Sequence, residues 1–155
     1  MELKQARKLG QEIVEILKPH CKPGYIKVVG SILREKRFPG DIDIVLIPGN
    51  QGALAVALKN LGPKIRAGPK MHSCRYKGEQ VDIYIANKCT WPTLVLIRTG
   101  SKAHNKMLCS RALAMGGKLH ADGSGLELCD ERCYPGSEEE IFTLLGLSYI
   151  EPKNR

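Results

Sequence analysis

Residues 30–46 read GSILREKRFPGDIDIVL, and the second half of this stretch decides the fold. In GDIDIVL the acids stand at alternate positions. On an extended strand Asp41 and Asp43 therefore project from one face while Ile42 and Ile44 project from the other. A second strand with one acid set among apolar residues follows in QVDIYI, where Asp82 lies between Val81 and Ile83. Carboxylates held on half-buried strands need a partner. A divalent cation suits them, because oxygen ligands favour Mg²⁺ and paired metals stabilise the attacking and leaving oxygens of a phosphoryl displacement. The alternative for an Asp-x-Asp pair alone is a solvated strand edge. Gly30-Ser31, directly after an expected strand, offers close backbone approach and a hydroxyl, and Arg34 stands within reach of the same anion.

Working outward, Leu3, Leu9, Ile13, Ile16 and Leu17 recur near helical spacing and predict a helix over residues 2–18, stopped by Pro19, Pro23 and Gly24. Strands are expected at Tyr25–Val29, Ile42–Ile47 and Gln80–Ile85, with a helix at Gln51–Leu61. Between that helix and the third strand, the basic segment LGPKIRAGPKMHSCRYKGEQ is expected to hold a strand and a turn at Lys77-Gly78. Thr90 is expected to cap a helix with Pro92 in its first turn. A further helix spans 102–115, ended by Gly116-Gly117, and a short strand follows at Leu126–Leu128. Ser137 before Glu138, Glu139 and Glu140 marks a last helix with acids at its positive end. The pattern changes near Thr90, dividing the chain into lobes of 1–90 and 91–155.

With 155 residues, 43% hydrophobic and 26% charged, the chain suits one compact domain or two small lobes and excludes a disordered or large multidomain protein. Its net charge of +8 is unevenly placed: residues 59–118 hold twelve basic and two acidic groups, whereas residues 119–155 hold three and eight. Such a local excess attracts a polyanion, with nucleic acid or a plain solvated basic surface as the two readings. The six cysteines show no CxxC pair and no zinc spacing, so free thiols are expected, Cys129 and Cys133 included. No apolar run reaches membrane length and the first residues do not resemble a signal peptide, which predicts a soluble intracellular protein.

The stretch GSILREKRFPGDIDIVL resembles the GSxxR…GDxD signature of the polymerase-beta-type nucleotidyltransferase superfamily. TGSKAHN (residues 99–105) and the C-terminal IFTLLGLSYIEPKNR resemble the thumb of family X DNA polymerases. The resemblance implies an α+β fold, with a nucleotidyltransferase palm built on a mixed sheet followed by a small α/β thumb. It implies Asp41, Asp43 and Asp82 as ligands of two Mg²⁺ ions, with Mn²⁺ as a substitute, and Asp82 as the group near a primer 3′-hydroxyl. Ser31 and Arg34 would hold the triphosphate, helped by the backbone at Gly30 and Gly40. Gly100 and Ser101 would form the turn beside the sugar, and Asn105 would reach the base. The implied partners are gapped or primer–template DNA and a dNTP, bound by a monomer that fills short gaps in repair.

Several positions depart from the family pattern. Ile97-Arg98 replaces an aromatic pair, Cys109 an arginine, and Gln80 the arginine two residues before the third Asp. Arg111, two residues past Cys109, is turned about 200° around a helix and does not substitute. The chain begins at the palm, as in a minimal palm-plus-thumb form, so grip on DNA is expected from Lys64, Arg66, Lys70, Arg75, Lys102 and Lys106. Trp91 is expected in the core, His104 near DNA or nucleotide, and His20 and His120 on the surface. The competing functions are NMP transfer to a protein or small molecule, template-independent terminal addition, and a catalytically dead DNA-binding module.

Overall fold

The computed structural model describes all 155 residues. The first helix, α1 (Leu3–Leu17), turns Leu9, Ile13 and Leu17 inward, as the spacing predicts, together with Ala6, while Ile16 is left exposed. Strand β1 (Cys21–Val28) starts earlier than expected. Its pairing register shifts between Cys21 and Ile26, so the Pro23-Gly24 kink is absorbed as an irregularity instead of delaying the strand. A single turn, α2 (Gly30–Leu33), leads through a loop to β2 (Ile42–Pro48) and α3 (Gln51–Leu61), which Asn50 caps by accepting the Ala53 N–H at 2.9 Å.

The basic segment contains two strands where one was expected, β3 (Lys64–Gly68) and β4 (Met71–Tyr76). Lys77 and Gly78, at φ of 50° and 88°, then make a two-residue turn into β5 (Glu79–Ile85). The resulting sheet has the order β1-β2-β5-β4-β3, with β2 and β5 parallel and every other pair antiparallel. Parallel neighbours need a crossover connection, here supplied by α3 and the β3–β4 hairpin.

Next come α4 (Trp91–Thr99) and α5 (Lys102–Ala114), then a small sheet of β6 (Lys118–Leu119), β7 (Leu126–Leu128) and β8 (Glu131–Cys133). The last helix is α6 (Glu138–Leu144). Thr90 does not cap α4. It has a helical backbone and exchanges side-chain-to-backbone hydrogen bonds with Asn87, each of 3.0 Å, which ties the turn before the helix. Ser137 does cap α6, accepting the Glu140 N–H at 3.1 Å while the Glu140 carboxylate accepts the Gly136 N–H at 2.6 Å. Ser137→Ala should therefore lower stability by about 1 kcal/mol, seen as a fall of about 2–4 °C in melting temperature.

Three apolar clusters form the interior. One joins α1 and α3 to Ile42, Ile44, Leu46, Val81 and Ile83 on one face of the large sheet. A second holds Leu96, Ile97, Leu108, Leu126, Phe142 and Leu145. The third lies on the other face of the large sheet, where Leu94 and Val95 of α4 cover Val45, Ile47, Tyr84 and Ala86. Trp91 packs edge-on against Tyr25, with ring centroids 5.3 Å apart. All six cysteines are free. No helix is long and apolar enough to cross a membrane.

Candidate metal and nucleotide site

Alternation along β2 places Asp41, Asp43, Val45 and Ile47 on one face, and α4 covers only the last two. The acids occupy the uncovered end. Parallel pairing sets Asp43 directly beside Asp82. Oxygens of Asp41, Asp43 and Asp82 lie within 4.8 Å of one another. Three carboxylates so close repel one another, which makes an all-oxygen cluster of this kind a fit for a hard divalent cation. Burial, then Asp41 and Asp82, push Asp43 up to about 7. Burial and Asp82 also raise Asp41, against the pull of Arg34.

Gly30, at φ +65°, lies so close to Asp43 that a side chain there would collide with its carboxylate. The hydroxyl of Ser31 is buried without a partner. Arg34 closes the turn and donates from Nη1 to the Thr99 carbonyl at the end of α4. Burial lowers its pKa, opposed by Asp43 and Asp41. Arg34, Asp43, Arg98, Gly100, Lys102 and Asn105 share the walls of a cleft of about 460 Å³. Asn105 donates to the Ile97 carbonyl at 2.8 Å, and its own Oδ1 is buried without a partner. Ser101, after a cis Gly100–Ser101 peptide, caps α5 by accepting the His104 N–H at 3.3 Å. Gly40 is exposed, with open space beside its Cα.

Other expectations fare differently. His104 is buried against Phe142, with ring centroids 5.8 Å apart, and burial and then Arg155 lower it to about 4. Its ring is thus turned into the interior and away from the surface on which the motif suggested a contact. Arg155 reaches the same core, paired with Glu138 at 2.8 Å. Arg111 is bound to the Leu145 carbonyl at 2.7 Å, in keeping with its inability to replace the arginine at Cys109. Lys64, Arg66, Lys70, Arg75, Lys102 and Lys106 are all exposed, but not on one face. Arg66 pairs in register with Ser73 and so shares the carboxylate face, as does Arg75 opposite Gln80. Lys64 instead lines a hollow with Lys59 and His72 beside α3.

Ser73 and Tyr84 escaped the sequence reading, and Gln80 entered it only as a departure from the family pattern. Ser73 donates to Asp82 Oδ1 at 2.5 Å, and Gln80 turns its amide onto the same carboxylate. Tyr84 donates to Asp43 Oδ1 at 3.5 Å, with the Arg98 guanidinium stacked over its ring at 4.0 Å. Ser73 had a usable signal, because a two-residue turn at Lys77-Gly78 sets Tyr76 opposite Glu79 and so counts back to Ser73 opposite Asp82. Arg98 was legible only as a departure from the family pattern.

A three-carboxylate cluster beside the Gly30-Ser31 turn, on a mixed sheet flanked by helices, is a geometry suited to a divalent cation. The comparisons are more particular. Residues 94–155 match the family described as DNA polymerase beta thumb. Over its whole length the chain is similar to Leishmania infantum polymerase beta, solved as a ternary P/T complex. The TM-score is 0.80 and the identity 24%, covering 100% of this chain and 76% of that one. No curated protein matches the sequence. The resemblance to family X polymerases is thus borne out in fold throughout and in the thumb over residues 94–155.

Proposed function

We propose that the chain is a family X DNA polymerase that adds a deoxynucleotide to a primer 3′-hydroxyl and fills short gaps in DNA. The observation that carries this reading is the single cleft in which Asp43 meets Arg34, Gly100 and Asn105, joining the carboxylates to a turn of thumb sequence. The likeness to a polymerase beta captured as a ternary P/T complex supports DNA and a nucleotide as partners. We take residues 1–90 as the palm and 91–155 as the thumb.

Asp41, Asp43 and Asp82 would hold two Mg²⁺ ions, which when bound neutralise charge on the reacting phosphate oxygens. The remaining tasks fall to the chain. Ser31 offers a free hydroxyl to the triphosphate, and Arg34 can exchange the Thr99 carbonyl for a phosphate oxygen, a stronger charge-assisted acceptor. The sugar would rest on the Gly100–Ser101 turn, and Asn105 would donate from Nδ2 to the minor-groove edge of the base, whose O2 and N3 are acceptors. The 3′-oxygen forms a bond to the α-phosphorus, the bond to the β-phosphate oxygen breaks and pyrophosphate leaves. The hydroxyl proton passes to Asp82 or solvent. Positioning and charge neutralisation supply most of the acceleration in such a transfer.

Incubating the protein with one-nucleotide-gapped DNA, Mg²⁺ and each dNTP in turn tests the reading. Extension by the templated nucleotide, abolished by EDTA, is the expected result. Equal extension by all four dNTPs would indicate template-independent addition, and transfer of label from ATP to a protein without DNA would indicate the other class of nucleotidyltransferase.

A further inference from the structure

Asp82 is 7% exposed, yet no cation pairs with it from its own sheet. What holds it is a pair of neutral donors. Ser73, 2% exposed and directly opposite on β4, donates its hydroxyl to Oδ1 at 2.5 Å. Gln80, two residues earlier on the same face of β5, spans both oxygens from Nε2 at 3.4 and 3.2 Å. A carboxylate has about four lone-pair positions. These contacts occupy positions toward β4 and the start of β5, and two rigid strands fix the plane of the group. An oxygen of the same group also lies within 4.8 Å of oxygens of Asp41 and Asp43.

The chemistry of the donors matters as much as their place. A lysine or arginine at Ser73 would also orient Asp82, but it would neutralise the charge that a divalent cation requires. A hydroxyl and an amide orient the carboxylate and leave its charge in place. An apolar side chain at Ser73 would leave a buried carboxylate short of one donor and free to rotate. We infer that Ser73, assisted by Gln80, is a positioning residue that holds Asp82 toward the divalent cations and the primer hydroxyl. This rests on the polymerase reading of the three carboxylates.

The test compares wild type, Ser73→Ala, Ser73→Thr and Gln80→Leu, each first shown to melt as one folded species. Single-nucleotide gap filling in Mg²⁺ is expected to show kcat about 10-fold lower in Ser73→Ala, with the dNTP KM within about twofold of wild type. Ser73→Thr, which keeps the hydroxyl, should retain at least about half of the wild-type kcat, and Gln80→Leu should fall between. Mn²⁺ titration of the DNA-free protein, followed by electron paramagnetic resonance, should show binding weakened about 10-fold in Ser73→Ala and little changed in Ser73→Thr. Unchanged kcat and Mn²⁺ binding in Ser73→Ala would overturn the inference, as would equal losses in folded Ser73→Ala and Ser73→Thr. If the threonine does not fit the buried site, Gln80→Leu decides, since wild-type kcat and Mn²⁺ binding in that variant would remove the amide half of the clamp. A wild type without DNA synthesis would count against the polymerase reading alone, and the Mn²⁺ titration would still decide the role of Ser73.

Discussion

Under the proposed polymerase function, Asp43→Asn should reduce gap filling by about 10³-fold or more, because it would remove a charged ligand from a reaction in which charge neutralisation is worth several kcal/mol. The same change should make the metal-free protein more stable at pH 8. Asp43 is pushed up to about 7 by burial and by Asp41 and Asp82, above its ordinary value of 3.8. The folded chain therefore keeps a proton there that the unfolded chain releases. The stability this contributes is complete below about pH 4 and is lost as pH rises through about 7. Asparagine does not titrate, so the variant should match wild type near pH 4 and exceed it by about 2–4 kcal/mol at pH 8. Thermal melts in EDTA at the two pH values would read this as a gain of roughly 5–10 °C at the higher pH only. A loss of both activity and stability would mean that Asp43 is an ordinary core residue.

Divalent cation binding should depend steeply on pH for the same reason. A cation must displace the proton held at Asp43, so apparent Mn²⁺ affinity should fall about tenfold for each unit below about pH 7 and level off above about pH 8. Asp41, also raised, steepens the acid side. Calorimetric titration of the DNA-free protein between pH 5.5 and 8.5 would measure it. Flat affinity across that range would mean that the carboxylates are ionised without a cation and that Arg34 and Arg98 neutralise them. Arg34 has the weaker claim, since its Nη1 is committed to the Thr99 carbonyl. Arg98 bears on Asp43 directly and through Tyr84.

Much of this centre was legible in the residues. The alternation in GDIDIVL placed Asp41 and Asp43 on one face, because side-chain direction in a strand is fixed by local geometry. Helix α3 was found at its true ends because Asn50 and Gly62 punctuate it. The pairing of Asp43 with Asp82 was not derivable in the same way, since it depends on a crossover of thirty residues, 49–78, returning to a parallel neighbour. Strand β3 was missed as a separate element because all its residues are exposed and carry no burial pattern. His104 was expected near DNA or nucleotide because its motif follows the Gly100–Ser101 turn, whereas its place on α5 turns the ring toward Phe142. The basic residues were counted correctly, but their division between faces follows from a register shift between Lys64 and Arg66.

Helix α4 has a bearing on what the two lobes are. Leu94 and Val95 belong to the interior of the large sheet, whereas Leu96 and Ile97, one turn or less further on, belong to the interior built from α5, β7 and α6. A cut at residue 90 would strip cover from Val45, Ile47 and Tyr84 on one side and leave Leu94 and Val95 bare on the other. The halves are therefore distinct in shape but joined as a beam is mortised into two walls. Heating should melt them in one transition, and neither should be obtained as a soluble fragment.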